Sequence, residues 1–97
     1  MATCQITVFG DSAALAIGSP IQEVVVAIGA GSLQSAAITG SNKELRRVRI
    51  MCDLASWVTW GDNPTATTAG TAGRMMGAEN PEYFAIEAGQ IIAVIAR

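Results

Sequence analysis

Almost nowhere does this chain run long enough without interruption to sustain a helix. Gly, Pro, Ser, Thr and β-branched residues break it every six to ten residues, and each costs a helix backbone entropy or side-chain freedom. Between the breaks lie short runs rich in Val, Ile, Thr and aromatic residues, the composition of strands. These runs predict strands at 3–9, 13–17, 21–28, 32–39, 45–52, 56–60, 74–76, 82–87 and 90–96, separated by turn-forming stretches such as GSP, GSNK and GAENP. Many short strands at this spacing point to an all-β chain, an antiparallel β-sandwich or jelly-roll-like barrel of about eight or nine strands. A length of 97 residues suits a single domain over 1–97.

Alternation assigns faces. In RRVRIMC, Val48, Ile50 and Cys52 point one way and Arg47, Arg49 and Met51 the other, as a half-buried strand requires. The closing strand QIIAVIAR is apolar on both sides, with Ile92 and Val94 on one and Ile91 and Ile95 on the other. Such a strand must be central, or covered by a neighbouring subunit. Trp57 and Trp60 have opposite parity on one strand, so at most one of them faces the core.

Composition then suggests what surrounds the fold. Hydrophobic residues make up 51% of the chain and charged residues only 14%, against about 25% charged in an ordinary soluble domain. A small domain cannot hide so much apolar material by itself, which predicts an oligomer or a docked subunit. All six basic residues fall between Lys43 and Arg97, leaving the N-terminal half as the better candidate for burial against another chain. A net charge of −2 gives no electrostatic reason to expect nucleic acid. The longest apolar runs, VVVAI and IIAVIA, fall far short of the roughly 20 residues that cross a bilayer, so no membrane partner is expected. Cys4 and Cys52 fall in strands and leave two readings open, one disulfide between them or two buried thiols; without a leader-like N-terminus the reduced thiols, in a chain made in the cytoplasm, are the favoured reading.

Candidate chemistry is sparse. Gly10-Asp11-Ser12 resembles the nucleophile block of the GDSL hydrolases, but that family takes its base from a His and this chain has none. A turn at the end of a strand is the better reading. The Gly-rich GAGSLQSA, residues 29–36, is flanked by strands and reads as a hairpin turn, because a phosphate cradle would need a following helix. Asp53, Asp62, Glu79, Glu82 and Glu87 lack calcium-loop spacing, so neither metal nor cofactor is expected. Arg46, Arg47 and Arg49 form the one basic cluster, a wet face or a contact for an acidic partner. Trp57, Trp60, Tyr83 and Phe84 could stack on a sugar ring, though such aromatics more often fill a small core or anchor an interface. The 13 residues from Gly61 to Gly73 hold four Thr, three Gly and one Pro, a long loop that is either a contact surface or mobile.

The second half carries a recognisable pattern: RVRIMCDLASWVTWGDNPTAT, a Thr/Gly-rich loop, then RMMGAENPEYFAIEAGQIIAVI. It resembles a group of small β-rich virion accessory proteins of tailed bacteriophages, in which an R-V-R strand precedes an aromatic strand ending in Gly. An Asn-Pro-Thr-Ala-Thr loop, a turn into Pro-Glu-Tyr-Phe and an Ala-Val-Ile strand complete the pattern. The resemblance covers Arg47 to Ile95, about half of the chain. It implies a non-enzymatic virion subunit made in the host cytoplasm, a cement or decoration protein that bridges major capsid proteins, or a related neck or tail component. Expected partners are the major capsid protein and the chain itself, as a homodimer or homotrimer. The residues expected to make contacts are Arg46, Arg47, Arg49, Trp57, Trp60, Asn63, Thr65, Thr67, Thr68 and Thr71.

Overall fold

The computed structural model describes residues 2–9, 21–40, 44–68 and 73–97. Among these residues eight strands form: β1 (Thr3–Phe9), β2 (Gln22–Ala27), β3 (Leu33–Gln34), β4 (Leu45–Cys52), β5 (Ser56–Gly61), β6 (Arg74–Met76), β7 (Glu82–Glu87) and β8 (Ile91–Ala96). No helix occurs among the described residues. The strand expected at 13–17 lies outside them.

Two antiparallel four-stranded sheets result, with orders β2-β1-β4-β7 and β3-β8-β5-β6. Their inner faces interdigitate as the alternation requires. Cys4, Ile6, Val8, Val26, Val48, Ile50, Cys52 and Ile86 from the first sheet meet Val58, Met76, Ile92 and Val94 from the second in one buried core. Each large side chain so buried contributes about 1.5–3 kcal/mol before chain entropy is charged against it. Ser56, the polar exception, satisfies its hydroxyl by donating to the Leu54 carbonyl at 2.7 Å.

The chain changes sheet at most of its connections. Read through the two sheets, the order is that of a jelly roll, with β1 in the place that a strand following β8 would fill. The ends of the described chain meet accordingly: the Ala2 carbonyl accepts from Ile28 N–H, and Ala96 N–H donates to the next residue's carbonyl, Gly29.

Three expectations change. The 29–36 segment is not a hairpin turn, because β2 and β3 belong to different sheets and the glycines carry the chain between them. The strand expected at 32–39 contracts to Leu33–Gln34. Beyond Gln34 the chain still follows β8, but the Ser35 hydroxyl takes the Ile92 N–H at 3.0 Å in place of a backbone carbonyl, a local side-chain bond that displaces the regular ladder. Finally, Cys4 and Cys52 are not free thiols but a disulfide. They stand directly opposite on β1 and β4 with Cα atoms 3.9 Å apart. Asp53 N–H donates to the Thr3 carbonyl one step along, which makes 4/52 a non-hydrogen-bonded pair, the closer of the two antiparallel spacings.

β8 is central in its sheet and buried on both faces, and the cover on its outer side comes from this chain. Ala66, in the loop after β5, packs on Ala93, Ile95 and Trp57. The loop is tied across the sheet by Gln34, whose Nε2 donates to Asn63 Oδ1 and the Pro64 carbonyl at 3.0 and 2.7 Å. Ser32 Oγ accepts from Ala66 N–H at 2.9 Å. At least the first half of the Thr-rich loop is therefore a strap that seals the second sheet.

Candidate functional site

The strap covers β8 and Trp57 on the second sheet and leaves its edge residues Leu33 and Met75 exposed, while the outer face of the first sheet has no such cover among the described residues. Register places its residues in rows. Glu23, Thr7, Arg49 and Tyr83 lie side by side across β2, β1, β4 and β7, flanked by a row of Val25, Gln5 and Met51 and by one of Phe9, Arg47 and Ala85. Thr7 is buried beneath its neighbours and its hydroxyl donates to Glu23 Oε1 at 3.4 Å. The Arg47 guanidinium sits 4.8 Å from the centroid of the Tyr83 ring, close enough for a cation–π attraction. Arg49 Nη2 lies 3.7 Å from Met51 Sδ.

Several of the large apolar side chains exposed among the described residues lie on this face, while Leu33 and Met75 are exposed on the second sheet. Val25 is 65% exposed, Leu45 52% and Tyr83 45%, and by strand parity all three point outward. Such side chains interleaved with arginines and an aromatic ring match the composition of protein-contacting surfaces rather than of a water-facing sheet.

The expected contact residues are dispersed. Arg47 and Arg49 share the outer face, but Arg46 has opposite parity and turns to the end of the sandwich, where Nε donates to the Thr39 carbonyl at 3.2 Å and Nη1 lies 3.6 Å from Glu44. The three arginines do not form one strip. Trp57 lies on the strapped face beside Ala66. Trp60 points inward, against the core and the Phe84 ring, with centroids 4.9 Å apart. Neither tryptophan is fully exposed. Asn63 holds the strap to Gln34. Thr65 and Thr68 are exposed on the loop, and the Thr67 hydroxyl is buried without a hydrogen-bond partner. Thr71, Lys43 and the Gly10-Asp11-Ser12 block lie outside the described residues.

An open cleft of about 240 Å³ lies beside β5, lined by Val58, Thr59, Trp60, Gly73 and Arg74. Arg74 spans its rim: Cζ is 5.5 Å from the Phe84 ring, and Nε and Nη2 both donate to Glu82 Oε1. Among the described residues no group of three or more His, Cys, Asp or Glu could hold a metal ion. Comparison with protein-family models, curated proteins and solved structures gave no significant match.

Sequence reasoning missed Val25 and Leu45 on the exposed face and Arg74 with Glu82 at the cleft. A signal for Val25 was present, since it lies on the Glu23 side of the alternation in QEVVVA.

Proposed function

We propose that this chain is a non-enzymatic structural subunit that works by docking on other proteins: a cement or decoration protein of a tailed-phage virion, bridging major capsid proteins and associating with itself as a homodimer or homotrimer. The observation that carries the docking part is the outer face of the first sheet, where Val25, Leu45 and Tyr83 are exposed around Arg47 and Arg49. Support for the capsid comes from the pattern between Arg47 and Ile95 alone. A cement protein needs apolar contact area and many repeated weak sites, not catalytic groups. Capsid shells lacking the protein test the reading. Addition of the purified chain should saturate them at a fixed copy number and raise the temperature at which they release their genome; unchanged particles would remove the capsid role.

A second reading is favoured by Trp60 and Arg74 at the open cleft: a weak glycan-binding site, on a virion or elsewhere, with the indole edge and guanidinium contacting a sugar ring. Amide shifts of Thr59, Gly73 and Arg74 on titration with millimolar monosaccharides would support it. Unmoved resonances would exclude it.

A further inference from the structure

A sandwich has four edge strands, and this one guards three of them. β3 has two residues and β6 three, too short to template a new strand. β7 carries a carboxylate at each end, Glu82 and Glu87, and follows Pro81; charge and proline are common edge guards. β2 is different. Its six residues, QEVVVA, contain neither proline nor lysine and a single carboxylate, Glu23, and Val25 at 65% exposure is the most exposed large hydrophobic side chain described.

Its backbone also has a defined outward side. Ile28 N–H donates to the Ala2 carbonyl, and Ala2 opposite Ile28 continues the register in which Cys4 faces Val26 and Ile6 faces Val24. Even-numbered residues of β2 therefore exchange hydrogen bonds with β1. In an antiparallel ladder the alternate residues turn their N–H and C=O the other way. These are Glu23, Val25 and Ala27, and no strand among the described residues lies on that side.

We infer that β2 is the site where a second copy of this chain adds, edge to edge and antiparallel, joining the two β2 strands across a two-fold axis at Val25. The occupant follows from the pattern. Antiparallel addition about a two-fold is self-complementary, so one edge serves both partners. Centring it on Val25 pairs the residues whose backbone groups face outward: Val25 meets Val25 of the second copy, and Glu23 meets Ala27. Those residues share the outer face, so the sheets join with the same side outward and the mixed surface of Arg47, Arg49 and Tyr83 is doubled in width. Two valines at the axis form a favourable cross-strand pair, and the glutamates fall away from each other. The inference rests on the self-association in the proposed function and not on its capsid role.

Sedimentation of the wild-type chain and of Val25→Lys tests it. The wild type should be a dimer. Val25→Lys, which puts like charges at the axis and leaves the bonds to β1 alone, should raise the dissociation constant by about tenfold or more with an unchanged circular dichroism spectrum. Val25→Cys supplies the second measurement: it should form a dimer linked through residue 25 on mild oxidation, seen as doubled mass without reductant. A wild type that stays monomeric, a Val25→Lys chain that dimerises equally well, or a Val25→Cys chain that does not cross-link overturns the inference. A chain that dimerises through β2 and ignores capsid shells overturns only the capsid reading.

Discussion

Arg74 and Glu82 join the two sheets across one open side of the sandwich: Nε and Nη2 both donate to Oε1, at 2.9 and 2.7 Å, from β6 of one sheet to β7 of the other. On the opposite side a neutral side chain ties the sheets. The Gln22 side chain, on β2, donates to the Ala37 carbonyl at 3.1 Å and accepts from Thr39 N–H at 2.9 Å, on the segment that follows β3. The two closures respond differently to solvent.

Glu82→Gln should cost less than about 1 kcal/mol, because the Arg74 side chain is 57% exposed and exposed pairs are screened. The loss should shrink in molar salt. Gln22→Ala removes two neutral hydrogen bonds and should cost about 1 kcal/mol at any salt concentration. Urea unfolding at low and high salt separates them. Equal salt dependence would refute the distinction.

The disulfide closes a loop with a sequence separation of 48. Loop-closure entropy assigns such a cross-link roughly 3–4 kcal/mol. Both sulfurs are fully buried, so the bond should resist reductant in the folded chain and open once urea unfolds it. Thiol titration with and without urea in dithiothreitol reads this directly, and the reduced chain should unfold at lower urea. Two free thiols in the untreated protein would show that the bond is absent.

Backbone conformation makes paired predictions. Glu79 has φ of 56°, in the left-handed region, and its N–H donates to the Cys52 carbonyl. Glu79→Gly should therefore be neutral or stabilising by up to about 1 kcal/mol. Gly73 has φ of 132°, and a Cβ there would lie 2.9 Å from the Val58 carbonyl oxygen. Gly73→Ala should destabilise by about 1–3 kcal/mol. Thermal unfolding of the two variants checks the opposite signs.

Gln34→Ala should loosen the strap. Both hydrogen bonds from Gln34 to the Asn63–Pro64 turn disappear, and Trp57, Ala93 and Ile95 beneath the loop gain access to water. The expected result is a red shift of tryptophan emission with stability lowered by about 1–2 kcal/mol. Unchanged emission would mean that the packing of Ala66 and its hydrogen bond to Ser32 suffice to hold the loop.

Much of this architecture could be read in the chain because it is local. The in–out pattern of Val48, Ile50 and Cys52 against Arg47, Arg49 and Met51 fixed the faces of β4, and the two-sided apolarity of β8 announced a covered central strand. Most of the misreadings concern relations between distant segments. Gly29 to Ala36 has the chemistry of a hairpin turn, yet turn chemistry does not say to which sheet the next strand belongs. Cys4 and Cys52 are paired by register between β1 and β4, which neither strand encodes alone. The cover over β8 came from Ala66, a small residue in a loop without large apolar side chains. Arg46 was grouped with Arg47 and Arg49 by adjacency, where parity would have separated it. The exposed face around Val25 and Tyr83 emerged only when four strands were laid side by side.

The central place of β8 also orders events during synthesis. Among the described strands of the second sheet, only β5 and β6 can pair before residues 91–96 have been made, because β3 bonds to β8 and to no other described strand. A growing chain therefore carries β3 and one side of β5 as unpaired edges until the eighth strand leaves the ribosome. The first sheet has all four of its strands by then. Folding of this chain is thus completed after translation has passed β8, and the delay exposes it to the wrong neighbours at the moment when its own are missing.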